Sequence, residues 1–440
     1  MLPSTIFALS SASGRAGIAV IRISGPATTH VLQALIGKVP APRHAYLTAI
    51  KACDSDVTID EGLVVFFPGP ASFTGEDVAE LHIHGSVAVV NRLLDELGSF
   101  DGLTMAEPGA FSERAFLNGK LDLTSVEGLA DLLDAETDRQ RALAIAQTSG
   151  VLRDRAAEWR TDLVRARALL EAVLDFSDEA DVTEGPIAEA FAILGRLKSE
   201  LETALVDSTR ADTIRKGVRV ALVGAPNAGK SSLLNALAAR DVAIVTDVPG
   251  TTRDAIEIAI DIEGVPVTVI DTAGLRETND AIEREGVRRA RAAAEEADLV
   301  LHLEDRGAKT KARVGDFASV LTVWTKADRH ASPAMDESLD DIVISTRTEA
   351  GLDALLAWLG HWVRDRIGEG EPPLVTRARQ RMCITQAHCI VAACCAAGSA
   401  DLELRAEDLR RASDALARLT GEIDAEDVLD DIFAGFCIGK

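Results

Sequence analysis

No run of eighteen or more uncharged apolar residues occurs in the 440 residues of this chain, which excludes an ordinary membrane-spanning helix. The opening segment, Met1 to Gly17, lacks the basic start of a secretory leader, so a cytoplasmic location is expected. Basic residues are few beside acidic ones: 46 Lys and Arg against 70 Asp and Glu leave a net charge of −24. That field opposes nucleic acid, whose binding begins with phosphate neutralisation; if RNA is the substrate, a basic partner is expected to hold it. Cysteines are also few, and Cys53, Cys383, Cys389, Cys394, Cys395 and Cys437 include no paired C-x-x-C spacing that would suggest zinc. Cys383 to Cys395 lie in an apolar helical stretch and read as small buried hydrophobes. No internal repeat is visible. What is present, 47% apolar and 26% charged residues over this length, suits about three folded domains.

The most informative stretch is Gly224 to Ser231, GAPNAGKS, which follows the apolar run Val220 to Val223 and precedes the helical pattern Ser232 to Leu237. Strand, glycine loop and helix in that order form a P-loop. Its backbone N–H groups turn inward to cradle phosphate, the helix start adds partial positive charge, Lys230 reaches the β and γ phosphates, and Ser231 can ligate Mg²⁺. An unrelated glycine turn is the alternative, and the later motifs oppose it. The segment Ala243 to Asp254 follows, where Thr252 can close over Mg²⁺ and the γ-phosphate. Then the strand Val265 to Ile270 ends in Asp271-Thr272-Ala273-Gly274, a D-x-x-G that holds the metal through water and senses the γ-phosphate. A further strand ends in Thr325-Lys326-Ala327-Asp328, and another in Ser345-Thr346-Arg347.

That is the order of motifs in a GTPase. A carboxylate at Asp328 can accept from guanine N1–H and N2–H₂, whereas adenine offers it no matching pair of donors. Thr325 stands where asparagine is usual and Thr346 where alanine is usual, departures that bear on nucleotide affinity. Leu275, directly after the D-x-x-G, cannot orient water as the glutamine of Ras-type enzymes does. Another group must act: Arg276, Glu277 and Glu283 follow, and Glu283 is the candidate for positioning water, its alternative being a solvated helix start.

The fold expected is multidomain. Residues 1–120 read as a compact α+β domain, with strands at Gly17 to Ile23, Gly62 to Phe67 and Val78 to His84, and helices at Thr29 to Ile36 and Val87 to Glu96. Arg22 and Glu80 sit among apolar neighbours on those strands, where a salt bridge or a solvated face is the ordinary use of an ionised group. Residues 121–214 and 371–440 read as two parts of one all-α domain, into which an α/β P-loop domain, residues 215–370, is inserted. In the first part a break at Thr183 to Pro186 restarts a helix over Ile187 to Val206; in the second, helices are expected at Arg377 to Ala396, Ala406 to Leu419 and Ala425 to Phe433. From Asp401 onward eleven acidic and five basic residues favour a protein or cation partner over RNA. Cys437 sits in the terminal Phe436-Cys437-Ile438-Gly439-Lys440, where chain ends tend to fray.

With these residues assembled, the whole chain resembles the MnmE (TrmE) family of tRNA modification GTPases. The matching stretches are Arg15 to Ile18 with Ile21 to Gly25, Phe67 to Pro70 with Phe73 to Asp77, Phe111 to Asn118, Ala225 to Ser232, Gly250 to Asp254, Asp271 to Arg276, and the terminal Phe436 to Lys440. The resemblance implies a homodimer joined through folate-binding N-terminal domains, with Arg22, Glu80 and Lys120 at folate-contacting positions. The folate is a tetrahydrofolate derivative, the 5,10-methylene or 5-formyl form, supplying a one-carbon unit. A flavin-dependent MnmG-type partner, which alone brings FAD, would act with it to build an aminomethyl or carboxymethylaminomethyl group on C5 of the tRNA wobble uridine. The family pattern also implies GTP contacts at Asn227, Ala228, Gly229, Lys230, Ser231, Ser232, Thr246, Thr251, Thr252, Asp271, Thr272, Ala273, Gly274, Thr325, Lys326, Asp328, Ser345, Thr346 and Arg347. It implies Mg²⁺ at Ser231 and Thr252, K⁺ around Asn227, Thr246, Val248 and Thr251, Glu283 positioning water, and catalytic parts for Arg276 and Cys437. Two other readings compete. A GTP-gated ribosome-assembly factor would need a basic RNA-binding appendage where this chain has an acidic tail. A folate binder with a decayed GTPase is opposed by intact Lys230, Ser231, Thr252 and Asp271.

Overall fold

The computed structural model describes residues 4–53, 55, 57–175, 184–240, 242–244, 256–271, 295–305, 319–329, 342–368, 370, 372–398, 401–423, 429, 432–433, 435–436 and 439. The chain packs as two compact units, one of residues 1–130, 147–197 and 386–440, the other of residues 131–146 and 198–385.

The first unit is built on a six-stranded sheet in the order β3-β4-β5-β2-β1-β6, comprising β1 (Thr5–Leu9), β2 (Ile18–Ser24), β3 (Tyr46–Lys51), β4 (Thr58–Phe67), β5 (Val78–His84) and β6 (Leu103–Met105). Only β1 and β6 pair in parallel. Successive side chains on a strand point to opposite faces, so β2 sends Ala19, Ile21 and Ile23 into one core and Arg22 to the other side; β5 does the same with Ala79, Leu81 and Ile83 against Glu80, His82 and His84. Helices α1 (Thr28–Ile36) and α2 (Val87–Gly98) cover the apolar face through Val31, Leu32, Leu35, Val90, Leu93 and Leu97. Ser86 starts α2 by accepting a hydrogen bond from the Val89 N–H at 3.2 Å. Helix α3 (Ala110–Leu117) packs Phe111 with Ile6 and Ala8 on the other side of β1.

The helices that follow are α4 (Leu123–Leu133), α5 (Asp138–Thr148), α6 (Val151–Asp175) and α7 (Glu184–Lys216), and later α10 (Ala378–Ala397) and α11 (Leu402–Thr420). The expected helix from Ile187 to Val206 is therefore longer at both ends. Pro186 falls in the first turn of α7, where its missing N–H would have had no helical partner. Beyond Val206 the polar run is held as helix because Ala211 and Ile214 are buried and Arg381 donates to Ser208 Oγ at 2.9 Å and pairs with Asp212. In α10 the buried positions Ile384, Ala387, Val391 and Cys394 recur every three or four residues, and Cys383 is buried beside them. Cys389 lies off that stripe and is exposed, and Cys395 is only half-buried, so the reading of all four helical cysteines as buried holds for Cys383 and Cys394 and is corrected for these two.

The chain end also departs from a frayed tail. Phe433 and Phe436 are buried in a cluster with Leu123 and Val126, and Gly439 lies against β1, where a Cβ would stand 2.2 Å from the Leu9 carbonyl oxygen. Most of the helix expected over Ala425 to Phe433, and Cys437 itself, lie outside the described residues.

The second unit holds a seven-stranded sheet in the order β13-β12-β11-β7-β10-β9-β8. Its strands are β7 (Val218–Gly224), β8 (Ala243–Ile244), β9 (Ile256–Ile262), β10 (Val265–Asp271), β11 (Leu299–Asp305), β12 (Val320–Thr325) and β13 (Ile342–Val343). The central strands β7, β10, β11 and β12 pair in parallel; β10 and β11 are buried on both faces, as strands covered on both sides must be, whereas β12 alternates buried with more open positions. Helices α8 (Lys230–Ala238) and α9 (Leu352–Ile367) pack against one face through Leu233, Leu237, Leu355 and Leu359. The sequence expectations omit β1, β3, β6, β8 and β9, although β9 alternates Ile256, Ile258, Ile260 and Ile262 with Glu257, Ala259 and Asp261.

Buried in β11, His302 carries a depressed pKa because burial disfavours the imidazolium, and Glu304, 3.7 Å away, only partly offsets this. The unfolded chain takes up this proton first, near the ordinary imidazole value of about 6.5. Stability contributed by neutral His302 is thus present above that pH and lost as pH falls through it toward the folded value. Urea unfolding of wild type and His302→Gln should show a smaller loss of stability in the variant between about pH 6.5 and 5. Parallel pH profiles would refute the assignment.

Candidate functional site

In the second unit, β7 delivers Gly224 beside β11, and the loop turns through Asn227 at φ +63° and Gly229 at φ +100° into α8. Ala228 is buried and its N–H donates to the Ala225 carbonyl at 3.1 Å. Lys230 is also buried, folded back over the loop so that Nζ donates to the Gly224 carbonyl at 2.7 Å and the Ala225 carbonyl at 3.0 Å. An ammonium held this way stands over the concavity where phosphate oxygens can replace those carbonyls. Ser231 and Ser232, in the first turn of α8, complete the loop.

The end of β10 meets this loop. Asp271 is fully buried and lies in register with Leu222 of β7, which brings its Oδ2 to accept from Ser231 Oγ at 2.5 Å. A hydroxyl and a carboxylate at the mouth of a phosphate cradle form a hard oxygen donor set that would suit Mg²⁺. Thr325, at the end of β12, buries its hydroxyl against the same loop: Oγ1 is 2.7 Å from the Ala228 carbonyl and 3.2 Å from that of Glu304. Lys326, with φ +59°, pairs with Asp305 at 2.6 Å, a partner that sequence reading missed. Asp328 is exposed and accepts from the buried Ser345 Oγ at 2.8 Å. That hydrogen bond is the main reason its carboxyl is held below the usual carboxylate range, in the ionised form that accepts two donors. Thr346 and Arg347 follow in the next turn. The structure thus brings together Asn227 to Ser232, Asp271, Thr325 to Asp328 and Ser345 to Arg347. Thr246, Val248, Thr251, Thr252, Thr272, Ala273, Gly274, Leu275, Arg276, Glu277 and Glu283 lie outside the described residues.

In the first unit, strand register sets Arg22 opposite Glu80, and Arg22 donates to Glu80 Oε1 from Nη2 at 2.9 Å and from Nε at 3.2 Å. The guanidinium lies 5.4 Å from the ring centre of Phe73 and 5.6 Å from that of Phe111, a geometry that favours the cation. His82 Nε2 is 3.4 Å from Glu80 Oε2. Lys120 donates to the Pro70 carbonyl at 2.9 Å, and its stem reaches Gly75. Arg22 and Lys120 therefore both border the loop from Pro68 to Asp77, which Arg114 steadies by pairing with Glu76 at 2.9 Å. A carboxylate and a fixed cation flanked by aromatic rings fit a heterocycle with paired donors and an anionic tail. Phe73, Phe111, His82 and Arg114 were not singled out from sequence; for His82 the signal was the alternation of Glu80, His82 and His84 on one strand face. Among the described residues no group of three or more His, Cys, Asp or Glu could hold a metal ion, and no helix is long and apolar enough to cross a membrane.

A family model described as the GTP-binding protein TrmE N-terminus matches residues 5–120, and one described as the MnmE helical domain matches residues 123–437. Proteins named tRNA modification GTPase MnmE from Brucella anthropi and Sinorhizobium medicae are each 48% identical to this chain, covering 100% and 99% of it and 99% of their own lengths. A crystal structure of a point variant of Aquifex aeolicus Era bound to GDP·AlF₄⁻ is 26% identical over 39% of this chain and 66% of that one, with a TM-score of 0.27. Full-length identity near one half, together with family models that account for both ends and the middle, establishes that the chain belongs to the MnmE family of tRNA modification GTPases.

Proposed function

We propose that this chain binds and hydrolyses GTP as a component of tRNA wobble-uridine modification, with residues 215–370 as its GTPase domain. The observation that carries the reading is the meeting of Ser231 Oγ and the buried Asp271 carboxylate, 2.5 Å apart, at the mouth of the P-loop. Asn227 to Ser232, Asp271 and the 272–274 segment take the phosphates, Ser231 and Thr252 take Mg²⁺, and Thr325, Lys326, Asp328 and Ser345 to Arg347 take the base. Asp328, held ionised by Ser345, selects guanine. Titration with GTP, ATP and XTP should show GTP preferred, and Asp328→Asn should shift preference toward XTP. Comparable ATP and GTP affinities would remove the assignment.

Leu275 leaves the attacking water without the usual glutamine, and the charge developing on the phosphates needs a cation. Potassium held by Asn227 and by carbonyls near Thr246, Val248 and Thr251 fills that need, with Glu283 positioning the water, Arg276 nearby in sequence, and two GTPase domains pairing in the homodimer. An arginine finger is worth about 10³ to 10⁵ in rate, so its ionic substitute should be plainly measurable. Hydrolysis should be faster in K⁺ than in Na⁺ at equal ionic strength, Asn227→Ala should abolish that advantage, and Glu283→Ala should slow hydrolysis with GTP still bound. Equal wild-type rates in the two salts would rule the mechanism out.

The N-terminal domain, residues 1–120, takes a tetrahydrofolate derivative at Arg22, Glu80 and Lys120 and joins the homodimer; residues 121–214 and 371–440 form the helical domain. Folate supplies the one-carbon unit, an MnmG-type flavoprotein supplies FAD and holds the acidic chain's tRNA, and the assembly works in the cytoplasm. Cys437 serves the modification reaction and not the fold. Mass spectrometry of wobble uridines should show the C5 group absent from cells lacking the chain and from cells carrying only Cys437→Ser, whose GTPase rate and thermal stability stay normal. Wild-type modification in the deletion strain would overturn the functional reading, and in the Cys437→Ser strain only the cysteine's part in it.

A further inference from the structure

The hairpin of β9 and β10 has two ends with different chemistry. At one end Ile256 lies opposite Asp271; at the other, six residue pairs along the ladder, Glu263 and Gly264 make the turn. A ladder of that length spans about 20 Å and links its two ends through paired backbone hydrogen bonds. Its turn is gripped from outside the nucleotide site by residues of the same compact unit. Thr137, buried at the start of α5, sets Oγ1 2.6 Å from the Gly264 carbonyl oxygen. Gly264 has φ +78°, and a Cβ there would stand 2.6 Å from Cγ of Arg139, so the turn is seated directly on that side chain's stem. Glu263 accepts from Arg364 of α9 at 3.0 Å.

The grip is itself held firmly. Thr137 and Gln140 form a reciprocal cap, in which Gln140 Oε1 accepts from the Glu136 and Thr137 N–H groups at 2.8 and 3.2 Å, and Thr137 Oγ1 lies 3.4 Å from the Gln140 N–H. Gln140 Nε2 donates to the Arg215 carbonyl at 2.9 Å, Asp131 pairs with Arg377 at 2.6 Å, and Leu143 is buried in the same core as Ile262, Val265 and Val267. A helix cap needs only an acceptor oxygen at Thr137. The donor half of that hydroxyl is directed at the hairpin turn, which capping does not require.

We infer that Thr137 and Arg139, at the turn between α4 and α5, are positioning residues for GTP hydrolysis: by fixing the turn of the β9–β10 hairpin they set where Asp271 stands at its far end. This rests on the reading of Asp271 as the metal-side carboxylate of a GTPase. Three proteins test it, all as the full chain: wild type, Thr137→Ser, which keeps both halves of the hydroxyl's role, and Thr137→Asp, which keeps the capping acceptor and loses the donor to Gly264. Thermal unfolding, GTP dissociation constant and kcat are measured on each. Thr137→Ser should match wild type. Thr137→Asp, whose carboxylate is buried against the Gly264 carbonyl oxygen, should unfold at a lower temperature than wild type but, assayed well below that transition, bind GTP within about twofold of wild type. Its kcat should drop about fivefold, the size of one net hydrogen bond lost where the metal-side carboxylate is placed. An unchanged kcat in Thr137→Asp would overturn the inference, and so would a kcat that falls only in proportion to the fraction of chain folded at the assay temperature or to GTP affinity, since that marks a merely structural role. A wild-type chain that neither binds nor hydrolyses GTP would instead overturn the proposed function, and the inference with it.

Discussion

A carboxylate buried at the end of a central strand is the constraint on which the nucleotide-binding unit turns. Asp271 is fully buried, and an ionised group there is strongly unfavourable without compensating partners. Ser231 compensates part of that cost, and the register of β10 on β7 is what brings the two together. A slip of one residue along that ladder would turn Asp271 to the opposite face of the sheet and place Ile270 at the phosphate cradle. The apolar residues on both faces of β7, β10 and β11 therefore do more than make a core, because they lock the register that aims one carboxylate.

Much of this was legible because the P-loop is local: a few consecutive residues determine a turn, and the turn determines where backbone and side chains point. The strand, loop and helix around Lys230 follow directly from that. What sequence could not supply are pairings between distant segments. Lys326 with Asp305, Thr325 with the Ala228 carbonyl, and Arg22 over Phe73 and Phe111 depend on which strands become neighbours, and spacing along the chain carries no such information. The same limit explains the tail. Phe433 and Phe436 look like the end of a fraying chain until Leu123 and Val126 are seen to receive them.

Local propensity misleads where tertiary contacts override it. The polar stretch after Val206 reads as the end of a helix, yet α7 continues to Lys216 because Arg381 and two buried apolar side chains hold it. Cys389 shows the converse: an apolar-looking stretch has one exposed face, and only the helical period, not composition, separates Cys389 from Cys394.

The departures from the usual GTPase motifs acquire a physical meaning in the same way. Asparagine at position 325 would offer both a donor and an acceptor, and threonine offers a shorter group with one proton. From the end of β12 the Thr325 hydroxyl stands 2.7 Å from the Ala228 carbonyl, so it reaches the P-loop without the longer side chain. A bond between the end of β12 and the P-loop is thereby made, at a distance ordinary for a hydroxyl donor. Asp328 does not depend on that residue for its charge, since an exposed aspartate is ionised at neutral pH and the hydrogen bond from Ser345 lowers its pKa further. The bond from Thr325 to the P-loop and the bond from Ser345 to Asp328 are therefore separate contacts, so a threonine in place of asparagine at position 325 leaves the Asp328 carboxylate as it is.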